Sequence, residues 1–185
     1  MNKYRPSASP SVRPSARPFA RLIAGTALAT AGVALAGHLN VVLEADLDGR
    51  EQVATGATST AMVGDPDGRA TIYVFGIDGD PLTLCYTIVD VKRIGEIDLP
   101  PGNGRAAHIH EGARGTNGPV VAALAWPQNG QAGDCLTEGE AGKFPMGEAG
   151  IVQRILNNPA RFYANIHNAE YPNGAVRGQL KAHAP

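Results

Sequence analysis

Hydrophobic and polar residues alternate along most of this chain. Val41, Leu43, Ala45 and Leu47 interleave with Val42, Glu44 and Asp46, which is the period of a strand buried on one face. Ala70 to Ile77 (ATIYVFGI) and Leu82 to Val91 (LTLCYTIVDV) are β-branched and aromatic runs, and Asp78-Gly79-Asp80-Pro81 between them predicts a hairpin. Further strands are predicted at Arg105 to His110, Val120 to Trp126, Arg161 to His167 and Ala175 to Lys181, with Gly, Pro, Asn and Asp in the loops. One segment breaks the rule. From Glu148 to Asn157, Ile151, Val152, Ile155 and Leu156 recur at helical spacing until Asn157-Asn158-Pro159 stops them. The expectation is an all-β fold, an antiparallel β-sandwich or barrel of about eight strands, with one short helix.

Composition supports this. Gly and Pro supply 23 and 14 of the 185 residues, one in five, and both interrupt helices. The balance of 16 Lys+Arg against 17 Asp+Glu hides an asymmetry, because Lys3, Arg5, Arg13, Arg17 and Arg21 fall in residues 1–36, which hold no acid. The remainder carries 11 basic and 17 acidic residues, a net of −6. An acidic body argues against nucleic acid as a partner, since phosphate contacts need a basic surface.

The first 36 residues read as a secretory signal peptide. A basic, Pro/Ser-rich stretch precedes the uncharged run Leu22 to Leu35, and Ala34-Leu35-Ala36 before Gly37 forms a small-x-small cleavage pattern. That run, about 15 residues rich in Ala, Gly and Thr, is shorter than the roughly 20 needed to span a bilayer, so no membrane span is expected after cleavage. Twin arginines are absent, which favours general secretion. The division is thus a signal peptide over 1–36 and a β domain over 37–185, in a secreted, extracellular protein. Cys85 and Cys135 are the sole cysteine pair, and export predicts a disulfide between them. A thiolate metal site or redox pair would call for C-x-x-C spacing, which is absent.

Candidate chemistry lies in histidines on two predicted strands. Alternation puts His108 and His110 on one face of Ala107-His108-Ile109-His110, and Tyr163, Asn165 and His167 on one face of Tyr163-Ala164-Asn165-Ile166-His167. If the small and apolar faces turn inward, the three imidazoles point outward, and they converge if the two strands are neighbours. Imidazole suits copper or zinc, and H-x-H on a strand aims two ligands the same way. The alternative is a hydrogen-bonded polar cluster that fixes the following loops. Arg177 and Asn165 are candidate ligand-binding residues. Arg177 could clamp a carboxylate or bond loop carbonyls. Gly112, Gly115 and Gly118 permit a turn, but no helix follows to make a phosphate loop. His38 and His183 sit near the termini of the β domain, where order is not expected.

A-H-I-H-E-G, G-x-x-G-P-V-V, F-Y-A-N-I-H and Y-P-N-G-A-V-R-G-Q-L together resemble the chordin-type domain, CHRD, from about Val41 to Leu180. The resemblance implies a secreted all-β domain, as in chordin, an extracellular antagonist of bone morphogenetic proteins, and in many exported bacterial proteins. His108, His110, Gly112, Gly118, His167, Gly174, Arg177 and Gly178 are the matching positions. The chain departs from the pattern twice: REQVATG after Gly49 lacks the usual proline, and Asn168 follows His167 where Thr or Ser is usual.

Two functions follow. One is an extracellular binding module, whose partner is an unknown extracellular protein or a metal ion, with a metal held by His108, His110 and His167 and copper favoured over zinc. No Ser or Cys lies in a recognisable catalytic motif, so no catalytic residue is assigned. The other is a copper-dependent redox protein, because H-x-H, a later strand histidine and Arg177-Gly178 also resemble the order in copper-zinc superoxide dismutases. The zinc loop of those enzymes is missing.

Overall fold

The computed structural model describes residues 41–54, 63–92 and 106–184. The signal-peptide reading of residues 1–36 and His38 lie outside the described residues. The chain forms β1 (Val42–Asp48), β2 (Arg69–Ile77), β3 (Asp80–Lys92), β4 (Ala107–Glu111), β5 (Val120–Leu124), β6 (Ala132–Thr137), α1 (Ile151–Asn157), β7 (Phe162–Ile166), β8 (Val176–Gln179) and β9 (Lys181–Ala182). Eight strands follow one antiparallel path, β5-β4-β7-β8-β1-β2-β3-β6, and β9 pairs with β1. The path curls into a nearly closed barrel. Tyr86 of β3 accepts a hydrogen bond from the Ala125 N–H just past β5, and the free edge of β5 donates from Ala123 N to Lys143 O at 2.8 Å. That contact covers a strand edge that would otherwise invite pairing.

The core is the inward half of each strand. Leu43, Ala45 and Leu47 of β1, Ile72 and Val74 of β2, Leu84 and Ile88 of β3, and Ala107 and Ile109 of β4 share one buried cluster with Ala164 and Ile166 of β7. Helix α1 adds Ile151, Val152, Ile155 and Leu156 to it and packs against β3. It begins three residues later than the periodicity suggests, because Gly150 has φ +79°, a left-handed conformation open to glycine. The Glu138 carboxylate accepts the Gly150 and Val152 N–H groups at 2.8 and 2.9 Å, satisfying donors that the first turn leaves orphaned.

Strand β6 is absent from the sequence-based expectations. Of Ala132-Gly133-Asp134-Cys135-Leu136-Thr137 only Leu136 is buried, so its alternation is faint. Its place against β3 sets Cys135 directly opposite Cys85, with Cα atoms 4.0 Å apart and the disulfide formed. The predicted last strand, Ala175 to Lys181, divides into β8 beside β7 and β9 beside β1. Both departures from the chordin-type pattern find a structural use. Gly49–Glu51 is a 3-10 turn whose Arg50 N–H is capped by Asp48 at 2.8 Å. Asn168 is buried, and its side-chain oxygen accepts the Tyr171 N–H at 2.6 Å.

Candidate metal centre

Register builds the site. Strands β4 and β7 pair with His108 opposite Asn165 and His110 opposite Tyr163, while β7 and β8 pair with Asn165 opposite Arg177 and Tyr163 opposite Gln179. Cross-strand partners share a face of a sheet, so these six side chains lie together on the outer face. His167 follows β7 and stays in register, because its N–H donates to Ala106 O at 2.7 Å. One ligand nitrogen from each of His108, His110 and His167 lies within 4.8 Å of the other two. The His108 ring stands edge-on to both others, with centroids 5.8 Å from His110 and 5.3 Å from His167. The structure therefore joins the three histidines that the sequence placed on two strands. His183 lies apart from them, hydrogen-bonded through Nδ1 to Glu44 at 2.5 Å.

Loop backbone fixes two of the rings. His110 Nδ1 is 3.0 Å from Gly118 O, and His167 Nδ1 is 3.0 Å from Pro172 O. A carbonyl only accepts, so each Nδ1 carries the proton and each Nε2 keeps its lone pair. Both Nε2 atoms are buried without a hydrogen-bond partner among the described residues. Burial pushes His110 down from 6.5 to about 4, against the opposing pull of the Gly118 carbonyl. His167 is lowered for the same reason, against the Pro172 carbonyl. Both rings are neutral at pH 7, the form that ligates a metal. Gly118 lets the loop cross β4 closely, since a Cβ there would lie 1.6 Å from Glu111 O.

Arg177 and Asn165 are both buried under these loops. Arg177 donates to Thr116 O at 2.6 Å, Asn117 Oδ1 at 3.1 Å and Ala113 O at 3.4 Å, the loop-carbonyl arrangement of the two considered from sequence. Its Cζ sits 3.4 Å from the centre of the Tyr163 ring. On the β4 side of β7, Tyr163 stacks on His110 with centroids 4.8 Å apart and planes 6° apart. Burial lowers the Arg177 pKa from its usual value, while Tyr163 and Glu51 hold it up. Asn165 Oδ1 accepts from Gln52 Nε2 at 2.6 Å. Gly174, with φ +126°, leaves room for this pair, because a Cβ there would be 2.5 Å from Gln52 Nε2. Sequence reasoning missed Gln52 and the Gly118 and Pro172 carbonyls. Tyr163 was legible, since alternation already placed it on the histidine face.

The cluster offers three imidazole nitrogen donors and, among the described residues, no carboxylate. In His110 and His167 one ring nitrogen is held by a backbone carbonyl while the other is left for a ligand, as in histidines that bind metals. No curated protein and no solved structure matches this chain. A family model described as the CHRD domain matches residues 43–180. That span runs from the second residue of β1 through the end of β8 and covers three quarters of the 185 residues. The chain belongs to the CHRD-domain family.

Proposed function

We propose that this protein is an exported CHRD-type binding module that holds a metal ion, copper in preference to zinc, on His108, His110 and His167. Residues 1–36 then act as a signal peptide cleaved after Ala36. The Cys85–Cys135 disulfide fits an oxidising destination. Among the described residues no helix is long and apolar enough to cross a membrane.

One observation carries the metal reading: among the described residues the Nε2 atoms of His110 and His167 are buried without partners while the opposite nitrogen of each ring is committed to a carbonyl. A purely structural cluster would satisfy its acceptors, because each one left buried and unpaired costs roughly 1–3 kcal/mol. An ion bound between the rings would engage both lone pairs. Copper is favoured because affinity for nitrogen sites peaks at copper in the divalent series.

The test is copper titration of the wild type and of His108→Ala, His110→Ala, His167→Ala and His183→Ala, with melting temperatures measured in chelator. Each trio variant should lose at least a hundredfold in affinity, more than outer-shell substitutions typically cost, while His183→Ala binds as wild type. Equal losses at all four positions would mean adventitious binding. Lower melting temperatures for the trio variants, with no copper bound by wild type, would mean a structural cluster.

A further inference from the structure

We infer that the site is selective for monovalent copper and that Arg177, acting through the Tyr163 ring, sets that preference. This deepens the metal reading above and rests on it; what it adds is the oxidation state.

The first ground is charge. The donors are three imidazole nitrogens, and no carboxylate joins them among the described residues. The buried charge beside them is positive. Arg177 is 2% exposed, its bonds go to two backbone carbonyls and an amide oxygen, and it lies on the ring that stacks on His110. Glu51, the carboxylate that acts on Arg177, is committed to Arg114 at the exposed rim. A cation roughly 10 Å from an ion, at an effective dielectric of about 20, disfavours a divalent relative to a monovalent guest by on the order of tenfold.

The second ground is coordination number. Cu(II) favours tetragonal nitrogen and oxygen sets, so it would need a fourth equatorial donor from outside the trio. Cu(I) has a filled d shell and no such geometric demand, so three converging imidazoles suffice. The Tyr163 ring, in contact with Arg177 and stacked on His110, carries the cation next to the histidine cluster.

Competitive titration of the full chain tests this, with Cu(I) measured anaerobically against a chromogenic Cu(I) chelator, and Cu(II) and Zn(II) against chelators of known affinity. Wild type should bind Cu(I) more tightly than either divalent ion. Arg177→Gln should narrow that gap by on the order of tenfold, chiefly by gaining affinity for the divalent ions, while Arg177→Lys should keep it. Tighter binding of Cu(II) than of Cu(I) by wild type would overturn the inference and leave the metal reading standing, whereas Zn(II) bound more tightly than either copper ion would overturn the copper preference as well; this ordering needs no variant to fold. Equal shifts for all three ions in both variants would reduce Arg177 to a clamp on the loop and overturn its role here. Binding of none of the ions would remove the inference together with the metal reading.

Discussion

Where β3 meets β6, Cys85 faces Cys135 across the ladder and a disulfide joins strands 50 residues apart in sequence. Where β4 meets β7, His108 faces Asn165 and His110 faces Tyr163, and Nε2 of His110 and of the following His167 are buried without a partner among the described residues. Both regions belong to one sheet and both turn apolar residues such as Leu84 and Ile109 into one core. They differ in what the remaining positions contribute. The first region uses its cysteines to restrict the unfolded chain, which stabilises the fold. The second keeps desolvated acceptors without a partner among the described residues, which costs the fold free energy. A region that destabilises its own fold in an organised way is the better candidate for function.

The largest expected effect separates the two regions. Replacing both cysteines, Cys85→Ser with Cys135→Ser, should cost about 4 kcal/mol by the loop-closure argument for a 50-residue span, and leave copper affinity unchanged. Denaturant unfolding and metal titration on the same variant check this. A parallel loss of both would show that the regions are coupled and would break the contrast.

Acid should expose the smaller cost held in the histidine region. His110 falls from 6.5 to about 4 on folding, so between those values the unfolded chain binds a proton that the folded chain refuses. Above pH 6.5 this proton penalty is absent, and the fold loses stability as pH falls toward 4, by about 3 kcal/mol. His167, also lowered by burial, adds loss of the same sign. In chelator, the stability difference between pH 7 and pH 4 should be smaller for His110→Gln than for wild type. Equal acid losses would mean that His110 is solvated in solution.

Strands β1, β2, β3, β4, β5 and β7 were legible from alternation or from β-branched and apolar runs between turn residues, most plainly in β1, where Leu43, Ala45 and Leu47 are buried between more exposed neighbours, whereas β7 is buried along its whole length. Strand β6 was not, because it is an edge strand with one fully buried side chain, Leu136, so little in its pattern records its pairing. The same alternation put His108 with His110, and Tyr163 with Asn165 and His167. It could not show that β4 and β7 are neighbours, since that pairing joins segments separated by β5, β6 and α1. Nor could it show Gly118 O and Pro172 O, which fix the two rings with backbone atoms that any residue carries. Gln52 reaches Asn165 from a turn, where side-chain periodicity carries no signal.

The claim that His108, His110 and His167 form a metal site is tested most directly by elemental analysis of protein purified without a metal-affinity tag, beside the His108→Ala, His110→Ala and His167→Ala triple variant. The account predicts one copper per wild-type chain and none in the triple variant. Wild-type protein that folds, stays metal-free and takes up no copper when it is offered would contradict it.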